Sequence, residues 1–368
     1  MPWAALLPPP RPETNGAPGR ARGRELGRRL RNLSTRPASP GKPRPMVTED
    51  DLRTALGRVL ERTSLAGPFA RYEGKVRDCY TTPDGRRLLV VTDRISAFDR
   101  VLGTLPLKGQ VLNRLSAFWF ERTRSVAPNH MISQPDPNVL EAIECVPLPV
   151  EMVVRAYVTG VTSTSIWTHY ARGERVFCGH RLPEGLRKNE RLPRPILTPS
   201  TKAPKGGHDL SASREEILAL GTIDARDFDA AAEMALALFD HGARACAEQG
   251  LILVDTKYEF GKDRDGNIVV IDEIHTPDSS RFWFASSYGE RFAAGEDPES
   301  FDKEYVRRWL AARGFQGDGP IPSIPDEVRI EASRRYIEAF ERITGAAFVP
   351  DLEDPAVRIP RNLGAFAP

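Results

Sequence analysis

Residues 251–274, LILVDTKYEFGKDRDGNIVVIDEI, hold the side chains best arranged for chemistry. Side chains alternate along a strand, so Asp255, Lys257 and Glu259 share one face. Ile252, Val254, Thr256, Tyr258 and Phe260 share the other, which is the core side. Asp265-Gly266 predicts a two-residue hairpin turn, and a turn there sets Glu259 opposite Asp272. Two carboxylates opposed at about 5 Å repel each other. A divalent cation between them removes that conflict, and hard oxygen donors suit Mg²⁺. Lys257, on the same face, could then reach a phosphate oxygen beside the metal. A solvated polar face with the carboxylates turned apart, or a bulge that moves the register, accounts for the same residues without a metal.

Other segments offer groups for anions. In GKVRD, Gly74–Asp78, a single strand would project Lys75 and Arg77 from one face, with Gly74 letting a ligand approach the backbone. Nucleotide phosphates fit there, and so does a plain exposed charged face. TDRISAFD, residues 92–99, supplies Arg94, Ser96 and Asp99 in a loop after an apolar strand. Arg155 interrupts the apolar run VEMVVRAYV, and a buried arginine needs a partner: a ligand anion or a structural carboxylate. The hydroxyls of Thr162, Ser163, Thr164 and Ser165 follow Gly160 and suit a phosphate. TPSTKAPKGGHD carries Lys202, Lys205, His208 and Asp209, and TPDSSRFW carries Asp278, Ser279, Ser280 and Arg281. Each of these last two is an ordinary loop when taken alone.

The elements that must position these groups are legible. Thr48 followed by Glu49, Asp50 and Asp51 is a capped helix start, predicting a helix to about Glu61. FARYEGKVRDCY reads as a strand, TTPDGRR as a turn and LLVVT as a second strand. A helix is expected over roughly Gln110–Val126, burying Leu112, Leu115, Phe118 and Trp119. VEMVVRAYV reads as a central strand, and 170–212 as an irregular region. DARDFDAAAEMALALFDHGARACAEQG is an amphipathic helix ending at Gly250. Two short helices, around Asp302–Arg313 and Asp326–Thr344, and a proline-rich tail complete the chain. Strands and helices are grouped rather than alternating, which favours an α+β fold.

Composition narrows the function classes. With 368 residues, 40% hydrophobic and 28% charged, the chain resembles a soluble protein with two domains. No apolar run approaches bilayer length, so a membrane partner is not expected. Cys79, Cys145, Cys178 and Cys246 form no CxxC pair, which points to reduced thiols and a cytoplasmic setting. The net charge of +2 hides residues 1–45, where nine Arg and one Lys face only Glu13 and Glu25. The remaining body is mildly acidic, unlike a nucleic-acid binder. Ten prolines in the same 45 residues predict disorder. A dispensable tail (or a start codon upstream of the true one at Met46), a transit peptide and a polyanion-binding arm are the readings open for it.

Taken in order, GKVRD, TDRISAFD, VVRAYVTG, TPSTK…HD, LILVDTKYEFG and VIDEIHTPDSSRFW resemble the SAICAR synthetase family over roughly residues 68–345. One departure is local: the family's TGSAW-like run is here Gly160, then Val161–Thr164, then Ser165-Ile166-Trp167, with Ser165 the best match. The resemblance implies an ATP-grasp-like, two-domain α+β architecture with the nucleotide in the interdomain cleft. Its parts would be an extension over 1–47, a nucleotide-covering domain over 48–148, a catalytic domain over 149–345 and a tail over 346–368. The implied reaction joins L-aspartate to the carboxylate of CAIR, using ATP and Mg²⁺ and giving SAICAR, ADP and phosphate. Lys75 and Arg77 would then bind nucleotide, and Glu259 and Asp272 the metal. Lys257 and Arg281 would be catalytic, and Arg94, Ser96, Arg155, Ser165, Lys202, His208, Asp209 and Arg281 would bind substrate. Another ATP-grasp carboxylate–amine ligase would share the nucleotide and metal residues. A kinase-like phosphotransferase lacks its HRD and DFG sets here, and a non-enzymatic binding protein explains only the basic extension.

Overall fold

The computed structural model describes residues 47–67, 69–98, 100–202, 209–300, 304–315 and 317–364. The basic extension, Asp99, Lys205 and His208 lie outside the described residues. In chain order, the first part runs α1 (Glu49–Leu56), β1 (Ala70–Glu73), β2 (Arg77–Thr81), β3 (Arg86–Val91), β4 (Arg94–Ala97), β5 (Arg100–Thr104) and α2 (Lys108–Arg122). Next come β6 (Met131–Asp136), β7 (Val139–Ile143), β8 (Val146–Val158), α3 (Ile166–Ala171), β9 (Val176–Phe177), β10 (His180–Arg181), β11 (Glu190–Leu197) and β12 (Ser200–Thr201). The last part is α4 (Arg214–Ala219), α5 (Ala225–Glu248), β13 (Leu251–Lys262), β14 (Ile268–Ile271), β15 (Ser280–Phe284), α6 (Ala285–Ala294), α7 (Glu304–Ala311), α8 (Asp326–Thr344) and α9 (Pro355–Asn362).

Two antiparallel sheets organise the molecule. The first has strand order β1-β2-β3-β7-β6. One face buries Tyr80, Leu88, Val90 and Val139 against Ile359 and Leu363 of the C-terminal segment. Leu89 and Val91 point the other way, into the main core with α2. The second sheet runs β11-β8-β13-β14, with β12 on β8 and β15 on β13. Helix α5 lays Phe228, Ala231, Leu238 and Phe239 into the core that holds Met152, Val154, Val254, Tyr258 and Phe260. Each such buried side chain contributes about 1.5–3 kcal/mol. Period-2 alternation then forces the odd-numbered residues of β8 and β13 onto the opposite face, where the chemistry lies. Helix α8 packs against α1 and α2.

Several expectations hold. Thr48 caps α1 in a reciprocal box with Asp51, VEMVVRAYV lies within a central strand, and α5 covers the amphipathic run. Others are corrected. Helix α1 ends at Leu56, not Glu61, because Gly57 breaks it and the Leu60 N–H is taken by Asp93 Oδ2 at 2.8 Å. FARYEGKVRDCY is not one strand: the chain reverses at Gly74, whose N–H donates to the Arg77 carbonyl at 2.8 Å, and β1 pairs back on β2. The region 170–212 contains β11, which completes the second sheet. Helices α6 and α9 were not anticipated, and α8, with 19 residues, is not short.

The hairpin register is also corrected. Glu259 pairs with Ile271, not Asp272. The turn has three residues, Arg264 to Gly266, closed by Asp263 N–H to Asn267 O at 3.0 Å with Gly266 at φ +82°. A three-residue turn ending in a left-handed glycine moves the register by one from the two-residue turn.

Candidate active site

The charged face of the second sheet is a grid set by strand register. Arg155 lies opposite Asp255, Val153 opposite Lys257, and Glu151 opposite Glu259. The opposed carboxylates are therefore Glu259 and Glu151, and Lys257 answers both. Its Nζ donates to Glu151 Oε1 at 2.8 Å and to Glu259 Oε1 at 2.5 Å. Lys202, from the segment after β12, donates to the other oxygen of Glu259. Burial alone would raise the Glu259 carboxyl, but Lys257 and Lys202 outweigh it and hold it down at about 2. Burial likewise works against the Lys257 ammonium, yet Glu259 and Glu151 push its pKa up. Both groups stay ionised.

A cavity of about 420 Å³ lies between the two sheets. Leu89, Ile143, Cys145, Pro147 and Ile271 give it apolar wall, while Lys75, Arg77, Lys202, Glu259 and Asp272 give it charge. Although the register separates Glu259 from Asp272, both reach this cavity. Asp272 leaves β14 at φ +68°, a conformation Asp tolerates better than most residues. Arg77 Nη1 donates to Asp272 Oδ1 at 2.5 Å, and its Nη2 lies 3.0 Å from Glu273 Oε2. Burial pushes the Asp272 carboxyl up to about 6, with Arg77 opposing and Glu259 and Glu273 assisting. Among the described residues, no three His, Cys, Asp or Glu side chains converge as a metal cluster. Glu259 and Asp272 are a pair of hard oxygen donors, each already met by a cationic side chain, and a Mg²⁺ ion there would draw the rest of its shell from phosphates and water.

A second cavity of about 260 Å³ opens beside Lys257 and carries Arg155, Asp255 and Arg281. Asp255 Oδ2 accepts from Arg155 Nη1 at 3.4 Å and from Arg281 Nη1. Arg155 is further fixed by Thr198 Oγ1 at 2.8 Å and the Thr164 carbonyl at 3.2 Å. One carboxylate thus meets two guanidiniums, an arrangement able to receive an anion. Gly160, at φ +97°, is required here: a Cβ would stand 2.3 Å from Ser165 Oγ and 3.3 Å from Arg281 Nη2.

The structure does not bring every expected residue to a cavity. Ser165 is buried, accepting from the Thr162 N–H at 3.1 Å, and Thr162 and Thr164 line the wall instead. Arg94 is buried below the β1–β2 turn. It donates to the Gly74 carbonyl at 2.9 Å, the Lys75 carbonyl at 3.0 Å and Asp78 Oδ1 at 2.9 Å. Its geometry shapes the loop that carries Lys75 rather than a ligand surface. Ser96 lies on β4 and lines neither cavity, whereas Asp209 lines the second. Lys75 sits in the turn, so it does not share a strand face with Arg77, though both line the first cavity.

Comparison with known proteins decides the family. Residues 70–320 match the SAICAR synthetase family profile. The chain belongs to the SAICAR synthetase family. It is 52% identical over 297 residues to a putative phosphoribosylaminoimidazole-succinocarboxamide synthase 2 of Mesorhizobium japonicum, covering 80% of this chain and 95% of that one. Its fold matches the SAICAR synthase of Saccharomyces cerevisiae complexed with SAICAR, at TM-score 0.68 and 32% identity, over 79% of this chain and all of that one. A SAICAR synthetase in complex with ADP matches at TM-score 0.58 and 26% identity, over 76% of this chain and 100% of that one. The mixed α+β architecture is thus that of SAICAR synthase structures.

For a SAICAR synthetase family member, two cavity residues escaped sequence reading. Glu151 lies one strand from Glu259, and only register reveals the pairing. The signal for Glu151 was present: it is a carboxylate inside an apolar run, as conspicuous as Arg155. Arg307, on α7, lines the second cavity with no local motif to mark it.

Proposed function

We infer that the chain is a phosphoribosylaminoimidazole-succinocarboxamide synthase, an ATP-dependent carbon–nitrogen ligase of purine biosynthesis. It joins L-aspartate to the carboxylate of CAIR, giving SAICAR, ADP and phosphate. The observation that carries the site assignment is that the two cavities meet at the Lys257–Glu259 pair, whose atoms are 2.5 Å apart. Phosphoryl transfer between a nucleotide and an acceptor needs such a junction.

In this reading ATP occupies the cleft between the sheets. Its base lies toward Leu89, Ile143 and Cys145, and its phosphates toward Lys75, Arg77 and Lys202. Glu259 and Asp272 would hold Mg²⁺, which when bound supplies charge neutralisation for the phosphates. CAIR lies in the second cavity, its phosphate and carboxylate gripped by Arg155 and Arg281 with the help of the Thr162 and Thr164 hydroxyls. Its carboxylate oxygen attacks the γ-phosphorus, the bond to the bridging oxygen breaks, and ADP leaves with that electron pair. Lys257 stabilises the charge on the transferring group. The free amine of aspartate then attacks the acyl carbon; the C–N bond forms, phosphate departs with the C–O electron pair, and the proton lost from nitrogen goes to that phosphate.

The test is ADP release and SAICAR formation by the purified chain, with each substrate omitted in turn. Release that requires CAIR, L-aspartate and Mg²⁺ together supports the reading. A ligase for another acceptor would be indifferent to CAIR, and a binding protein would release nothing.

A further inference from the structure

Both oxygens of Glu259 are engaged by ammonium groups: Lys257 Nζ donates to Oε1 at 2.5 Å, and Lys202 Nζ donates to Oε2. A divalent cation arriving at Glu259 therefore meets two positive charges at close range, where like charges repel strongly. Withdrawal of one ammonium relieves most of that repulsion, and the surroundings of each lysine decide which one withdraws. Lys257 lies inside β13, opposite Val153, and also donates to Glu151 Oε1 at 2.8 Å. It lines the second cavity. Lys202 follows Thr201, the last paired residue of β12, and lines the first cavity together with Glu259. Its ammonium can thus leave Glu259 and stay in the cavity where the nucleotide phosphates lie.

Asp272 has a cationic partner of a different kind. Arg77 holds Asp272 with Nη1 at 2.5 Å and Glu273 with Nη2 at 3.0 Å. Its planar fork spans two carboxylates at once, so Glu273 keeps it in place when Asp272 turns to another ligand. A lysine is a point charge on a four-carbon stem and changes partner with little geometric penalty. The first cavity thus combines an anchored cation beside Asp272 with a swinging one beside Glu259.

We propose that Lys202 is an exchangeable counter-ion, which neutralises Glu259 until a divalent cation takes that oxygen and then passes to a phosphate of the nucleotide. This rests on the nucleotide and metal positions inferred above. Charge is balanced at each stage: the cation replaces the ammonium on Glu259, and the freed ammonium meets a phosphate that arrives with the cation. A cation without nucleotide displaces Lys202 with no new anion to receive it. A nucleotide without cation draws Lys202 away and leaves Glu259 facing the phosphates with Lys257 as its remaining ammonium. Cation and nucleotide therefore assist each other's binding through Lys202, and the coupling is reciprocal.

The test gives the whole chain its two ligands one at a time. Mn²⁺ serves as an oxygen-seeking stand-in for Mg²⁺, its free ion counted by paramagnetic resonance. ADP is titrated calorimetrically with a chelator present. Lys202→Met should bind Mn²⁺ alone about tenfold or more tightly than wild type, and metal-free ADP about tenfold or more weakly, the effect of one charged hydrogen bond. Lys202→Arg keeps the charge and should hold the Mn²⁺ affinity within about threefold of wild type. Lys202→Gln should shift both ligands in the same directions as Lys202→Met, and it decides the matter if the methionine variant does not fold. The opposite signs are the signature. A scaffold residue would weaken both ligands together, and a plain phosphate contact would leave Mn²⁺ binding unchanged. Either result, with ADP still bound by wild type, would overturn the exchange. Wild-type protein that binds neither ADP nor Mn²⁺ with ADP would instead refute the nucleotide site itself.

Discussion

Asp255 and Arg281 face each other across β13 and β15, and the same Asp255 faces Arg155 across β13 and β8. Three adjacent strands thus place one carboxylate between two guanidiniums.

That arrangement makes Arg281 sensitive to shape as well as charge. Arg281→Lys keeps the charge but loses the planar fork that can touch Asp255 and an oxyanion together. CAIR binding should weaken by about 1–3 kcal/mol, the range for a charged hydrogen bond, with ATP affinity nearly unchanged. Isothermal titration of both ligands checks this, and equal weakening for both would refute it.

Lys257 separates two carboxylates that strand pairing sets opposite each other. Lys257→Met should lower turnover by about a hundredfold or more, as loss of a charge-stabilising group does, and should also lower the melting temperature. Adding Glu151→Gln removes the exposed repulsion, so the double variant should regain stability but not turnover. Recovery of activity in the double variant would remove Lys257 from the phosphoryl-transfer step.

Glu259→Gln and Asp272→Asn should each raise the Mg²⁺ concentration needed for half-maximal turnover by about tenfold or more, a loss typical of removing one charged ligand. The fold should persist, since asparagine also tolerates the left-handed backbone of residue 272. Unchanged Mg²⁺ dependence in both variants would rule the pair out as metal ligands.

Gly242 on α5 gives room to a buried imidazole: a Cβ there would stand 2.3 Å from His275 Cε1. His275 cannot retreat, because Tyr258 holds its Nε2 at 2.6 Å and its ring lies edge-on to Trp119 at 4.7 Å. Gly242→Ala should therefore destabilise by about 2 kcal/mol, overpacking exceeding the gain of about 1 kcal/mol in helix propensity. Denaturant unfolding would show it.

His130 is buried, and burial together with Arg77 and Arg87 pulls its pKa from the ordinary 6.5 down to about 3. Between those values the unfolded chain binds the proton and the folded one does not. The stability from neutral His130 is therefore fully present above pH 6.5 and lost as pH falls toward 3. The buried carboxyls Asp93 and Asp272, both raised to about 6, titrate with the opposite sign, so the wild-type profile alone is blunted. The informative quantity is the difference between wild type and His130→Leu, which should change by about 1.4 kcal/mol per pH unit inside that window. A difference independent of pH would mean that His130 titrates normally.

Local rules made α1, α5 and β8 readable, because caps and hydrophobic period act within a few residues of sequence. They failed where a distant group intervened. Asp93 capturing the Leu60 N–H shortens α1, and Arg94 gripping the Gly74 and Lys75 carbonyls stabilises a reversal inside what looked like one strand. In the site, Asp255, Lys257 and Glu259 were legible from alternation alone. Their partners Glu151 and Arg155 lie about a hundred residues away, related by a register that alternation does not specify. The Asp272 position was reached for the wrong reason: the turn is one residue longer than Asp265-Gly266 implied, and the left-handed backbone returns the carboxylate to the cleft.

The grid on β8 and β13 makes the site an indicator of correct assembly. A slip of β13 by one residue against β8 would turn Asp255, Lys257 and Glu259 into the α5 core and bring Val254, Thr256 and Tyr258 onto the charged face. No one-residue slip of β13 keeps Lys257 and Glu259 in the site. A refolding population should therefore divide into fully competent molecules and inert ones, so that active-site titration counts correctly paired sheets directly.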